Sequence, residues 1–267
     1  VTPPVVAVVG LGLIGGSLAR ALTRAGWRVI GVDRASVARR ARAARAVSET
    51  SRSPEDAARA ARLVVLAAPP RANLELLPRL ARAAPRVVIT DVGSVKLPIC
   101  RLAARLRLTR FVGGHPMAGG ERSGFAASTA DLFRGCAWIL TPQPPRRPPA
   151  ILLRLIRAVG AHAVPLPAAS HDRAVAATSH VPQLVSWALL EAARADAVVR
   201  RHQGVAGPGF RDMTRLARSP RGLWRQILAE NRVQVTRALQ VFVRSLSREA
   251  ERSLGNASSG LTERNTR

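Results

Sequence analysis

Side chains suited to chemistry gather in a few short segments of this chain. The first is Gly10-x-Gly12-x-x-Gly15, with Leu13 and Ile14 inside it and an acidic residue, Asp33, 23 positions after Gly10. Glycines at this spacing permit a tight turn, a close approach of backbone to a pyrophosphate, and close packing of helix on strand. The phosphates then face a helix N-terminus. Asp33 is placed to hydrogen-bond adenosine ribose hydroxyls, which favours NAD. The neighbouring Arg34 could hold a 2′-phosphate, so NADP stays open. The plainer reading is a Gly-rich turn in an empty α/β domain. A strand before, a helix after and the acidic residue beyond favour dinucleotide binding.

Two further segments are Thr90-Asp91-Val92-Gly93-Ser94-Val95-Lys96 and Gly113-Gly114-His115-Pro116-Met117-Ala118-Gly119-Gly120-Glu121. His115 can serve as a general base, because an imidazole with an ordinary pKa of about 6.5 is mostly neutral at pH 7.5. A loop histidine bonding only to backbone is an equal reading on spacing alone. Ser94 is a fair N-cap for a helix beginning at Val95. Lys96 is the single lysine beside 41 arginines. It survives either by chance or because its site needs a compact ammonium that a guanidinium cannot mimic. A fourth segment, Ser179-His180-Val181-Pro182, lies much later.

These segments need elements to carry them. Val5–Val9 reads as a buried strand, followed by an amphipathic helix from Ser17 to a stop at Gly26. Strands are expected at 28–32, 63–67, 86–90, 110–112, 136–140 and 163–166. Helices are expected at 36–46, 72–83, 95–107 and 150–159. A polar, Gly-rich loop is expected from Gly113 to about Ser128, and a surface connection from Thr141 to Pro149. The alternation implies a Rossmann-type parallel sheet with helices on both faces. After Pro167 the pattern is all helical, with two long helices at about 170–195 and 220–254 and a frayed tail from Gly255. The expected domains are 1–167, for the dinucleotide, and 168–267, for substrate and dimerisation. The apolar content of the helical part (Leu184, Val185, Trp187, Leu189, Leu190, Leu239, Val241, Phe242, Leu246) is generous for a small bundle, which suggests a homodimer.

With 267 residues and 47% hydrophobic content, the chain is long and apolar enough for a packed core. Its net charge of +26 is spread along the chain, and aromatic residues make up only 3%. Specific nucleic-acid binding concentrates basic residues with aromatics between them, so it is not expected here. The arginine excess, with abundant Ala, Pro and Gly, has the profile of GC-rich codons. Two cysteines in no CxxC pair indicate neither a disulfide framework nor a zinc site, and no metal is expected. The apolar stretch Val5–Leu22 lacks a basic leader and is punctuated by glycine, so it does not resemble an export signal. No run reaches the ~18 apolar residues of a membrane span. The expected compartment is the cytoplasm.

Taken in order, GLGLIGGSLA, DVGSVK, GGHPMAGGERSG and GPGFRDMTR (the last within Gly207–Arg215) resemble the prephenate dehydrogenase family, which includes arogenate and cyclohexadienyl dehydrogenases. The resemblance runs from about residue 5 to 250. It implies oxidation of prephenate or arogenate by NAD with release of CO2, giving 4-hydroxyphenylpyruvate or tyrosine. It implies that His115 is the base, that Ser94 positions the hydroxyl or His115, and that Arg215 pairs with a substrate carboxylate. Glu121 would line or gate the pocket. Ser179 and His180 would contact cofactor or substrate, although His180 reads equally as a core histidine. Lys96 would lie at the substrate site. His171-Asp172 would cap the long helix and steady the domain junction. Many bacterial relatives carry a second histidine three residues after that of the SHxP segment; here the position is Gln183. An amide can accept from an ammonium, so the choice between prephenate and arogenate stays open. The β-hydroxyacid dehydrogenases share the layout but use a lysine in the helical domain, and none follows Lys96. No fused regulatory or mutase domain is expected.

Overall fold

The computed structural model describes residues 3–142 and 147–255. Part of the connection expected at 141–149, and the tail after Gly255, lie outside the described residues. The chain opens with β1 (Val5–Val9), α1 (Leu13–Arg24), β2 (Arg28–Val32), α2 (Ala35–Ala43), β3 (Glu49–Ser51) and α3 (Pro54–Ala60). It continues with β4 (Leu63–Leu66), α4 (Pro70–Ala83), β5 (Val88–Asp91), α5 (Leu97–Arg105) and β6 (Phe111–Pro116). The sheet is completed by β7 (Ala137–Thr141), α6 (Ala150–Ala158) and β8 (His162–Pro165). The strand order is β3-β2-β1-β4-β5-β6-β7-β8. All pairings are parallel except β6 with β7. The central strands are hydrophobic throughout because helices bury both faces of the sheet. Val6, Val8, Leu63 and Val65 line one core; Ala7, Val64, Leu66 and Ile89 line the other.

Two features of the sheet differ from the sequence expectation. The short β3 and α3 were not anticipated. Glu49-Thr50-Ser51 carries no apolar pattern, and its pairing to β2 comes from tertiary contact. Helix α3 is N-capped by Ser53, whose side chain accepts from the Asp56 N–H. The second feature is β6, which runs on through His115 and Pro116 where a loop was expected. Antiparallel pairing with β7 sets Gly114 against Leu140 and His115 against Ile139. The two glycines serve close packing rather than looping. A Cβ on Gly113 would fall 2.4 Å from Thr141 Oγ1, and one on Gly114 would fall 2.6 Å from the Asp91 carbonyl oxygen.

Beyond β8 the chain is helical: α7 (Ala168–Val175), a π-helical turn (Ala176–His180), α8 (Val181–Ala195), α9 (Ala197–Arg201), α10 (Pro208–Thr214), α11 (Arg221–Glu230) and α12 (Arg232–Leu254). The first expected long helix is thus interrupted at residues 176–180. Pro182 has no N–H and its ring crowds the carbonyl four residues back, which widens that turn. The second is divided at Asn231, which separates α11 from α12. No described helix is long and apolar enough to cross a membrane.

Candidate active site

The glycine turn lies between β1 and α1, at the carboxyl edge of the sheet, where α/β folds of this kind receive ligands. Gly10 has φ of +98°, a conformation that favours glycine. A Cβ on Gly15 would come within 1.9 Å of the Gly10 carbonyl oxygen, so this glycine lets α1 pack onto the turn. Gly12 differs. A Cβ there would meet nothing within 4 Å, so its backbone faces open space. Gly12 is also the N-cap of α1, with no side chain capping it. Helix α1 begins at Leu13, earlier than the expected Ser17, which brings Leu13, Ile14 and Gly15 into its first turn. Their N–H groups precede the first intrahelical bonds and are free for an anion.

Asp33 follows β2. Its Oδ2 accepts from Leu11 N at 2.7 Å and its Oδ1 from Arg34 N at 2.6 Å. A carboxylate has about four lone-pair sites, so capacity remains for ribose hydroxyls. Arg34 is 88% exposed in its side chain and stands 4.0 Å from Asp33. The open face at Gly12, the uncapped helix and the part-buried carboxylate fit a dinucleotide.

Three strand ends further along the same edge, His115 is half-buried near the end of β6. Its Nδ1 lies 2.8 Å from Nε2 of His171, and the rings meet edge-on with centroids 5.1 Å apart. His171 Nδ1 lies 2.7 Å from Asp172 Oδ1. Burial first, then the neighbouring His171, Lys96 and His180, hold His115 well below the ordinary histidine pKa. It is therefore neutral near pH 7. Sequence reasoning gave His171 and Asp172 a capping role and the domain junction, not a place beside His115. Nothing in the sequence places residue 171 beside residue 115; a His-Asp dipeptide at the opening of a helix is the only local signal. Asp172 does cap a helix, but not its own. It accepts from Lys96 N and Leu97 N, both at 2.8 Å, at the start of α5.

Helix α5 begins at Leu97, not Val95, so Ser94 is not its N-cap. Ser94 is half-buried between β5 and α5, and its hydroxyl makes no hydrogen bond among the described residues. Lys96 is fully buried. Its ammonium pairs with Asp91 and donates to the Gly114 carbonyl at 2.8 Å. Asp91 Oδ1 accepts from Gly114 N at 3.1 Å. Asp91 and Lys96 thus grip both polar atoms of the residue before His115. In this geometry Lys96 holds the strand that carries His115, and its ammonium is paired inside the protein with Asp91 and the Gly114 carbonyl.

Arg215 follows α10 and reaches Glu121 Oε2 at 3.2 Å. Glu121 is held below the usual carboxylate range by its own backbone N–H and then by Arg215. This pair joins the helical domain to the segment after β6. Gln183 is fully buried, and its Nε2 donates to the Leu216 carbonyl at 2.8 Å, anchoring the turn that carries Arg215. Its Oε1 has no partner among the described residues. Ser179 is half-buried in the π-helical turn. His180 is fully buried, lies edge-on to Trp224, and is pushed down to about 4 chiefly by burial. That is the position of a core histidine.

Residues 18–164 match the family pattern for the prephenate dehydrogenase nucleotide-binding domain, and residues 167–259 match that for the prephenate dehydrogenase dimerisation domain. The chain belongs to the prephenate dehydrogenase family. It is 33% identical over 249 residues to a prephenate dehydrogenase of Bacillus subtilis, covering 90% of this chain and 67% of that protein. It is 34% identical over 257 residues to a cyclohexadienyl dehydrogenase of Zymomonas mobilis, covering 91% and 86%. Its fold matches a prephenate dehydrogenase of Aquifex aeolicus solved with hydroxyphenyl propionate and NAD+. The TM-score is 0.86 and the identity 30%, over 98% of this chain and 95% of that one. This chain is an NAD-dependent oxidoreductase.

Proposed function

We propose that the protein oxidises and decarboxylates prephenate to 4-hydroxyphenylpyruvate, with NAD as the hydride acceptor. The observation that carries this reading is His115: a neutral imidazole on the sheet edge that also bears the Gly12 opening. Residues 1–167 hold the dinucleotide, through Gly10, Gly12, Leu13, Ile14, Gly15 and Asp33. Residues 168–267 hold substrate and the partner subunit. Of the 23 residues of α12 only Val235 is buried, and Val241 and Leu246 are more than half exposed, which supports a homodimer through this domain. The proposed compartment is the cytoplasm.

The chemistry asks little of the protein beyond orientation and one proton. Bound NAD would accept the hydride from C4 of the cyclohexadienol ring. His115 takes the C4 hydroxyl proton as carbonyl character develops there. Loss of the ring carboxylate as CO2 aromatises the ring, and the proton returns to oxygen to give the phenol. Ser94 would orient the hydroxyl, since its own hydroxyl has no partner among the described residues. Arg215 would exchange Glu121 for a substrate carboxylate, which it can grip bidentately. Gln183 would shape the end of the pocket from beneath the Arg215 turn.

One observation favours arogenate as a second substrate. Gln183 Nε2 donates to the Leu216 carbonyl, and the amide atom with no partner among the described residues is the acceptor Oε1. An acceptor suits the ammonium of arogenate better than the keto group of prephenate. Turnover of each substrate with NAD, read as NADH formation with identification of the aromatic product, tests both readings. Activity on prephenate sustains the first, dominance of arogenate the second, and inactivity on both contradicts the proposal.

A further inference from the structure

We infer that His171, backed by Asp172, is a positioning residue that fixes which ring nitrogen of His115 carries the proton. The inference rests on His115 being the base proposed above.

The side chain of Asp172 is almost fully buried. Oδ1 accepts from Lys96 N and Oδ2 from Leu97 N. Backbone N–H groups only donate, so both oxygens act as acceptors. His171 Nδ1, 2.7 Å from Oδ1, therefore meets an acceptor and carries hydrogen. In a neutral imidazole this leaves a lone pair on Nε2, and that atom stands 2.8 Å from His115 Nδ1. The His115 Nδ1 must then be the donor. Its lone pair falls on Nε2, the atom free to take a proton from substrate. The tautomer of one ring is set by what its other nitrogen meets.

The relay is built rigidly. Asp172 cannot turn without uncapping α5. Its backbone carbonyl is held by Asn231 Nδ2 at 2.8 Å, from the start of α12. His171 is 1% exposed, and the edge-on geometry of the two rings points the N–H of one at the nitrogen of the other. The charged and titratable groups facing His115 are His171 from α7, Lys96 from the turn before α5 and His180 from the π-helical turn. Asp91 and Asp172 stand behind Lys96 and His171. An isolated imidazole favours hydrogen on Nε2, the form in which His115 cannot accept at that atom, so the preference must be imposed from outside the ring.

The test is nitrogen NMR of the histidine rings in the full-length protein without substrate, combined with kinetics. In the wild type, His115 should show a protonated Nδ1 and an unprotonated Nε2. In His171→Leu that preference should disappear, and kcat should fall by about 10²-fold with NAD affinity unchanged. His171→Gln still offers an oxygen to the Nδ1–H and should recover both the tautomer and most of the rate. If His171→Leu does not fold, the wild-type and His171→Gln spectra decide. A wild-type His115 protonated on Nε2, or a His171→Leu enzyme with wild-type tautomer and kcat, overturns the inference. Because the spectrum is read without substrate, the expected tautomer in an enzyme that turns over neither compound would contradict the proposed reaction and leave this inference standing.

Discussion

Arg215 Nη1 stands 3.2 Å from Glu121 Oε2, so the guanidinium assigned to substrate is held by a carboxylate of the other domain. Arg215 comes from the helical domain and Glu121 from the segment after β6, so the pair bridges the two. Arg215→Ala should raise KM by about 10- to 100-fold, the size of a lost charge-assisted hydrogen-bond pair. Glu121→Gln frees Arg215 and should lower KM, by less than about fivefold, since an exposed ion pair contributes little. Steady-state kinetics on both variants check the two directions.

The state of His115 sets the acid limb of activity. Burial and its cationic and histidine neighbours hold it well below 6.5. The base therefore stays neutral into mildly acidic solution, and the acid limb of kcat/KM should lie below pH 6.5. A limb at or above that value would mean that another group controls the profile.

Stability should carry a second pH signature. Folded His180 titrates at about 4, while in the unfolded chain it titrates at about 6.5. The unfolded state binds the proton first as pH falls, so this contribution is complete above pH 6.5. It is lost progressively between 6.5 and 4, by about 3 kcal/mol. Thermal melts across that window should show Tm falling toward acid, and His180→Gln should flatten part of the slope.

The glycines separate binding from folding. Gly12→Ala places its methyl in open space and should leave Tm unchanged while weakening NAD about tenfold or more, because the methyl fills the approach of the pyrophosphate. Gly15→Ala drives a Cβ onto the Gly10 carbonyl and should lower Tm as well. Titration calorimetry and melting on the pair distinguish the two effects.

Which parts of this were legible in the sequence follows from physical range. The glycine turn, the apolar strands and the order of helices are local patterns, and they appear nearly where periodicity places them. His115 was legible as a candidate, but its setting was not. Gly113-Gly114 looks like a loop in one dimension, and only the neighbouring strands show that Gly113 makes room for Thr141 of β7 and Gly114 for Asp91 of β5. His171 and Asp172 were given the junction but not the catalytic base, since no local rule brings residue 171 to residue 115. Lys96 illustrates the opposite case. Its solitude among arginines pointed to a need for a compact ammonium, but the partner it meets, Asp91, was not legible in the sequence.

That burial makes Lys96 a stability determinant. Lys96→Met strips the counter-charge from a buried carboxylate and should cost about 3–5 kcal/mol, with a matching fall in Tm. Lys96→Arg should also destabilise, because a planar guanidinium does not fit between Asp91 and the Gly114 carbonyl. A melting temperature unchanged in both variants would show that the pair contributes nothing to the fold.

Prephenate oxidation by this chain is proposed to depend on His115 as the proton acceptor. The most direct measurement is NADH formation from prephenate by the wild type and by His115→Asn, with NAD affinity measured for each. The wild type should turn over prephenate, and the variant should lose about 10²-fold or more in rate at unchanged NAD affinity. Wild-type turnover by His115→Asn, or none by the wild type on prephenate, would contradict the proposal.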